Sequence, residues 1–469
     1  MSEPTSAGTA ASAAAGSPSV QEQEHLHRRL SSRQLTMIAI GGAIGVGLFL
    51  GSSLTIELAG PGVIITYVLG ALIAIVMAYS LAEMAVVHPV AGSFGIYAEK
   101  YLSAWAGFTI RATYGLVQII AIGAEVTAAA IYFAFWFPHV PGWIWVMFVS
   151  AGLITLNALQ VGNFGELEYW FAFIKVFAIV VFIAVGVLLV TGLGPWREVG
   201  LANLTQHGGF LPNGWRGVWM ALTLAITSYM GVEVIAVTAG EAQNPSNSIP
   251  RAMRTIVYRL IIFYVLAITV MLAMTPWNQT GSSTINGSPF VRAFQAVGIP
   301  FAAGIMNLVV ITAALSSANT NLYTSTRMLF SLSQGKYAPV WLGRLSHNGV
   351  PHRALAISSA GMIAAILLAI FSPKNAFLFL YGTAVAGMFY VWIVILLTHL
   401  RFRRAIAPDV LAGLPLKLPA HPWPTLLALT ALIAIALSTF WVKGLEYTIQ
   451  TFAPLLLFML VVYAIYRPR

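Results

Sequence analysis

The chain has 469 residues, 59% of them apolar and only 8% charged, with a mean hydropathy of +0.84. Soluble domains carry about 25% charged residues, so this composition belongs to the membrane class. The absence of cysteine excludes disulfides, thiol catalysis and thiolate metal sites. The net charge of +10 does not point to a nucleic-acid partner, because the basic residues sit in alternate loops, as topology signals do.

Residues 1–24 are rich in Ala, Ser, Gly and Thr and lack apolar periodicity, which reads as a disordered tail. They do not read as a signal peptide, having no basic stretch followed by an apolar one. A basic segment from His25 to Arg33 leads into the first of twelve apolar runs. The runs lie near 36–58, 62–86, 103–132, 142–160, 167–192, 217–240, 254–275, 299–331, 354–371, 375–400, 424–441 and 447–466. Each is close to the roughly 20 residues that a helix needs to cross a bilayer. The third and eighth are long, which implies tilt or extension past the membrane. Seventeen of the 24 Lys and Arg fall in the tail, the even-numbered loops and the C-terminus, and five in the odd-numbered loops. That asymmetry predicts an all-α, multi-pass protein of twelve spans with both termini in the cytoplasm.

The first run reads Ile40-Gly41-Gly42-Ala43-Ile44-Gly45-Val46-Gly47-Leu48-Phe49, with four glycines in seven residues. Each glycine in a helix interior costs about 0.8–1 kcal/mol relative to alanine. Unsatisfied backbone in hydrocarbon costs far more, so a helix broken here has to line a cavity or be buried in protein. Close helix packing on small residues is the competing explanation. The sixth run, Leu222 to Val234, carries Thr227, Ser228, Tyr229, Met230, Gly231 and Glu233 at mid-membrane depth, where an ordinary apolar helix needs none of them. It stands five spans after the glycine-rich run. This is the relation expected of two five-helix repeats of opposite topology, each opening with a discontinuous helix. A break exposes the N–H groups of one half-helix and the carbonyls of the other. An amino acid zwitterion fits that pair without any charged side chain.

At this point the chain resembles the amino acid–polyamine–organocation superfamily. Within it, the resemblance is to the bacterial amino acid transporter family that includes the GABA, proline, aromatic and D-serine/D-alanine/glycine permeases. The motifs include Arg33-Gln34-Leu35-Thr36-Met37 running into the glycine-rich stretch, then Ala59-Gly60-Pro61, Leu81-Ala82-Glu83-Met84 and Gly92-Ser93-Phe94. They continue with Phe164-Gly165-Glu166-Leu167-Glu168-Tyr169-Trp170, Gly240-Glu241-Ala242, Ile249-Pro250-Arg251-Ala252, Ser325-Thr326-Arg327-Met328-Leu329 and Leu400-Arg401-Phe402-Arg403-Arg404. The resemblance implies a leucine-transporter-like fold with discontinuous helices 1 and 6. Residues 25–404 would form the transport core, and 405–469 would supply helices 11 and 12. It also implies proton-coupled uptake across the bacterial inner membrane, with the proton gradient in place of any cofactor. Carried over by position, backbone at Ala43 and Ile44 would accept the substrate ammonium, with Thr227 and Met230 contributing. Backbone N–H groups at Gly45, Val46 and Gly47 would hold the carboxylate. Tyr229, with Ser228 and Gly231 beside it, would shape or gate the pocket. Arg111-Ala112-Thr113-Tyr114-Gly115 departs from the family pattern in the third helix and leaves the substrate subfamily open.

Charges at mid-membrane cost about 2.5–3.5 kcal/mol on insertion scales and are functional candidates by default. Lys175 matches the fifth-helix lysine that replaces a sodium ion in proton-coupled relatives. Burial disfavours the charged amine, so a lysine here can load and release a proton and bond to carbonyls freed near Gly42. The alternative is a lysine snorkelling to the interface. Glu233 can either cap the broken helix or act in proton-linked gating. Glu125 can sense the substrate, carry a proton or serve as a hydrogen-bonded structural carboxyl. Arg111 is read as snorkelling. Glu83, Glu166, Glu168 and Glu241 are read as helix-end partners for Arg or Lys. Hydroxyls in the eighth-run stretch Ala313-Ala314-Leu315-Ser316-Ser317-Ala318-Asn319-Thr320-Asn321 can face Lys175 or simply bond between helices. No phosphate loop, paired-His metal motif or nucleophile elbow is present. The expectation is a proton-coupled importer of an amino acid, most simply a neutral one. An exchanger, a GABA or cationic amino acid permease, and a non-transporting sensor or channel are the alternatives.

Overall fold

The computed structural model describes Met37 and residues 44–466, apart from 91, 160–161, 194–199, 239–244, 281–287, 299–300, 347–348, 373–375, 443–444 and 447. Among the described residues every regular element is helical. The first crossing is α1 (Val46–Phe49) and α2 (Gly51–Ala59), followed through a 3-10 turn at Gly60–Gly62 by α3 (Val63–Val87). Then come α4 (Ser93–Tyr101), α5 (Ala104–Phe133), α6 (Gly142–Leu159) and α7 (Gly162–Thr191). The second half opens with α8 (Gly214–Ala225), a 3-10 segment (Ile226–Tyr229) and α9 (Val234–Thr238). It continues with α10 (Pro245–Ile261), a π segment (Ile262–Leu266), α11 (Ala267–Met274), α12 (Trp277–Thr280), α13 (Pro289–Val297) and α14 (Ala302–Gln334). The remainder is α15 (His352–Ser358), α16 (Ala360–Phe371), α17 (Ala376–Ala405), α18 (Pro408–Ala412), α19 (Trp423–Ser438) and α20 (Thr448–Tyr466).

Nine stretches among the described residues are long and apolar enough to cross a bilayer, against the twelve runs expected. The first two runs join into Gly51–Val87 because the turn at Gly60–Gly62 keeps the chain helical, and part of the first run lies outside the described residues. The fourth and seventh runs form the shorter apolar helices Gly142–Ala158 and Ile262–Met274. The 33 residues of α14 extend about 50 Å at 1.5 Å per residue, well beyond the roughly 30 Å hydrocarbon layer. This accounts for the excess length of the eighth run. The outer surface carries large apolar side chains such as Phe148, Phe177 and Phe371, at 67%, 60% and 80% exposure. Exposed apolar side chains of this size suit a surface that faces hydrocarbon.

At the centre, α5 is packed on one side by α14 and on another by α17. The helices approach closely where side chains vanish: a Cβ on Gly361 of α16 would lie 1.7 Å from the Ile119 carbonyl oxygen of α5. Arg111, expected to snorkel, is instead buried. Its Nε donates to the Gly107 carbonyl at 2.8 Å, its Nη2 pairs with Glu99, and its guanidinium lies 5.2 Å from the Tyr337 ring centroid. A long cation near a helix end reads as interfacial, but here the turn between α4 and α5 brings a carboxylate back over it.

Glu83, at the end of α3, is fully buried and meets the expected arginine. It accepts from Arg403 Nε and Nη2, each at 2.6 Å, from the Leu418 N–H at 2.6 Å, and lies 2.9 Å from His399 Nε2. A bidentate guanidinium–carboxylate pair of this kind is among the stronger polar contacts. It ties the segment after α18 to the ends of α3 and α17. Glu166 meets Trp170 Nε1 rather than a cation, and Glu241 lies outside the described residues. Beside this knot, burial pushes the His421 imidazole down to about 4, with His399 and Arg403 adding to the shift, Arg404 contributing less and Glu83 opposing it. The ordinary value is near 6.5, so over the range between the two the unfolded chain holds more protons than the folded one. The contribution of His421 is therefore fully present above pH 6.5 and is lost as pH falls toward 4. His421→Asn should flatten the decline in unfolding temperature over that range, as followed by intrinsic fluorescence. An unchanged slope would rule out His421 as its source.

Candidate functional site

Both expected helix interruptions bear on one cavity. Gly45, at φ −120° and ψ −161°, is extended, and α1 starts immediately after it with no side chain capping its first turn. The leading N–H groups of a helix have no intrahelical partner; Gly45, Val46 and Gly47 present backbone to the cavity, where the Val46 N–H already meets the Glu125 carboxylate. On the other side, α8 tightens into the 3-10 segment, Met230 is extended at φ −65° and ψ 140°, and Gly231 takes φ +111° before α9 begins. A side chain at that φ is strained, which is why glycine stands there. Glu233 takes up the backbone released by the break. Both its carboxylate oxygens accept the Gly231 N–H at 3.0 Å, with Trp392 Nε1 at 3.3 Å and the Tyr114 hydroxyl at 3.4 Å. These contacts hold the Glu233 carboxylate against the break itself.

The cavity between the breaks measures about 90 Å³, room for several waters. Gly45, Val46, Gly47, Thr227, Ser228, Met230, Gly231, Glu125 and Glu233 all line it, so most of the sequence-predicted residues meet here. Ile44 is fully buried and does not line it, and Ala43, Gly41 and Gly42 lie outside the described residues. Tyr229 does not line it either. It turns behind the site, where its hydroxyl donates to the Tyr67 carbonyl at 2.7 Å and its ring packs at 4.9 Å from that of Tyr264. Next along the interrupted segment after Thr227 and Ser228, which remain on the cavity side, Tyr229 points off that face. The aromatic side chain that does shape the cavity is Tyr381 of α17, whose hydroxyl bonds to Thr227 Oγ1.

Close approach explains the glycines of the first break. A Cβ on Gly45 would stand 2.8 Å from Ser317 Oγ and 3.0 Å from Glu125 Oε1. One on Gly47 would stand 3.3 Å from both Ser228 Cα and the Tyr381 hydroxyl. Packing and site construction are therefore the same fact here. Glu125 is buried and accepts from Ser317 Oγ at 2.7 Å, and its Oε2 has no hydrogen-bond partner among the described residues.

Lys175 does not line the cavity. It is fully buried on α7, and its Nζ donates to the Ile44 carbonyl at 3.1 Å and to Ser316 Oγ at 2.7 Å. Snorkelling is thereby excluded in this conformation. Ser316 Oγ in turn donates to Glu168 Oε1, and Asn319 Nδ2 lies 3.5 Å from Glu168 Oε2. Glu168 was expected at a helix end and is instead wholly buried beside the lysine. The two adjacent serines of α14 divide the polar interior, Ser316 serving Lys175 and Ser317 serving Glu125.

Sequence reasoning passed over Tyr381, Gln118 and Asn321, which also line the cavity, and the role of Glu168. Glu168 carried a usable signal: it precedes Lys175 by seven residues, two turns, and so shares its face. Tyr381 carried none, since it arrives from a helix more than 150 residues downstream of Thr227.

Comparison with known proteins bears on what such a site does. The family model described as "Amino acid permease" matches residues 34–467. An uncharacterized amino acid permease of Bacillus subtilis, YtnA, is 41% identical over 419 residues, covering 89% of this chain and 90% of the relative. The gamma-aminobutyric acid permease of the same organism is 37% identical over 450 residues, covering 96% and 95%. The aromatic amino acid transport protein AroP of Escherichia coli is 39% identical over 421 residues, covering 89% and 92%.

Proposed function

We propose, from the premise that the chain belongs to the amino acid permease family, that it is a secondary active symporter importing a neutral amino acid together with a proton by alternating access. The reading includes twelve spans arranged as two inverted five-helix repeats plus two helices, in a bacterial inner membrane with both termini in the cytoplasm. The family implies the leucine-transporter-like core, and the seventeen-to-five loop charge asymmetry supports the orientation.

The observation that carries the proposal is the contact of Lys175 Nζ with the Ile44 carbonyl at 3.1 Å. Ile44 is followed directly by Gly45–Gly47, whose backbone faces the cavity. A protonated lysine thus holds the first break in shape from behind while the substrate engages it from the front. The substrate carboxylate meets N–H groups at Gly45–Gly47. Its ammonium meets carbonyls of the two interrupted helices, with Thr227 and Met230 contributing. Loss of the proton from Lys175 removes a charged donor from the Ile44 carbonyl and loosens the half of the site that α1 supplies.

A second reading is favoured by one detail, the unpartnered Oε2 of Glu125 in the cavity wall. A substrate whose ammonium is remote from its carboxylate, such as GABA or a cationic amino acid, would satisfy it. Uptake of twenty amino acids and GABA into proteoliposomes, with and without a protonophore, separates the readings. The first expects accumulation of a neutral amino acid that collapses with the protonophore. Accumulation that persists only with counter-loaded amino acid would instead identify an exchanger.

A further inference from the structure

A second, much larger space lies on the outside of the bundle. It is a groove of about 1080 Å³ between α3, α8 and α19, floored by apolar side chains. Leu72 and Leu427 stand on its two walls at 55% and 68% exposure, so the groove opens sideways rather than toward either aqueous face. Along α3 it runs from Leu69 to Tyr79, ten residues, or about 15 Å at the rise of an α-helix. That is half of a hydrocarbon layer of about 30 Å, the depth of one leaflet.

Charge appears at one end only. Arg254 of α10 and Lys417 of the segment after α18 line the mouth nearest Tyr79, one turn from Glu83 and the polar knot at the basic-loop side. Arg254 Nη2 donates to the Pro415 carbonyl at 3.0 Å and Lys417 Nζ to the Ala412 carbonyl at 2.6 Å. Those contacts hold both cations over the mouth while leaving further N–H groups on each. Among the described residues neither forms an ion pair. An amphipathic tyrosine at the same level suits the headgroup boundary.

We propose that this groove binds one anionic phospholipid of the leaflet bordering the basic loops. Its acyl chains lie between Leu72 and Leu427, and its phosphate lies between Arg254 and Lys417. The length matches a single leaflet, the apolar floor matches acyl chain, and two cations at the end of that floor match a phosphodiester with a negative headgroup region. The site would fasten α19 to α3 across a seam that protein side chains leave open.

The test is native mass spectrometry of the full-length protein after exchange into detergent with phosphatidylglycerol or phosphatidylcholine. The expected result is one retained phosphatidylglycerol, preferred over phosphatidylcholine by about tenfold, with the preference lost in the Arg254→Ala/Lys417→Ala double variant. Ala431→Trp, at a partly buried position of the groove wall, keeps both cations but fills the groove and should lose the bound lipid, which decides the matter if the double variant does not fold. Equal retention of the two lipids by the parent protein, or an unchanged preference in the double variant, overturns the proposal. So does rapid disulfide dimerisation of Leu427→Cys in a chain with no other cysteine, since the groove would then be an interface between two copies.

Discussion

Lys175→Ala should abolish uphill, gradient-driven accumulation and leave downhill exchange measurable. The ammonium group is fully buried and bridges the Ile44 carbonyl to Ser316, through which it reaches Glu168. Removing it leaves a buried carboxylate without its nearest cation. Stranding a buried polar group without its hydrogen-bond partner costs about 1–3 kcal/mol, and more for a charged one. Part of that cost falls on the shape of the first break, so substrate affinity should drop as well. In proteoliposomes with an imposed pH gradient, the accumulation ratio should fall to unity, while exchange of labelled for unlabelled substrate survives at reduced rate. Gradient-dependent accumulation at the parental level would show that the proton is carried elsewhere. Lys175→Met is the packing control, since it keeps the chain's length without the charge, and it should fail in the same way.

Gly45→Ala is expected to weaken substrate binding more than the same methyl added at Gly47. The new carbon would stand 2.8 Å from Ser317 Oγ, 3.0 Å from Glu125 Oε1 and 3.2 Å from Ser317 Cβ. Ser317 is on α14 and Glu125 on α5, two helices packed tightly together, so little can give way. Overpacking by one methyl costs about 1–3 kcal/mol, or roughly 5- to 150-fold in a dissociation constant. Gly47→Ala meets its nearest atoms only at 3.3 Å and should be milder. The double variant Gly45→Ala/Ser317→Ala removes the closest atom and should recover much of the loss. Substrate-induced thermal shift and folded yield, read together, distinguish a damaged site from a damaged fold. Equal affinities for parent and Gly45→Ala would mean that Gly45 does not form the wall of the substrate site.

These two residues also mark how far the sequence alone could be read. Gly45 was legible because its signal is local: glycine is costly inside a membrane helix unless something needs the space. Gly231 and Glu233 were legible for the same reason, as a glycine and a carboxylate where neither belongs in a plain span. Lys175 was legible as an isolated charge in an apolar run, but its contacts were not. Ser316 and Glu168 reach it from α14 and from two turns earlier on α7. Arg111 went astray because snorkelling is the ordinary fate of a long cation near a helix end, and nothing in the chain announces that Glu99 folds back over it. Tyr229 went astray because nothing local tells which face of the interrupted segment meets the cavity and which meets Tyr67 and Tyr264. Tyr381 had no local anomaly to betray it.

The peptide unit at Ile44 has a thermodynamic consequence. Its carbonyl receives Lys175, and the next three residues wall the substrate cavity. If the amine titrates, the two ligands share one strip of main chain, and their affinities are bound by reciprocity. Whatever factor a bound amino acid adds to the proton's hold on Lys175, the proton adds the same factor to the hold on the amino acid. Measuring substrate affinity at a series of pH values would therefore yield this coupling free energy from equilibrium data alone, with no membrane and no gradient.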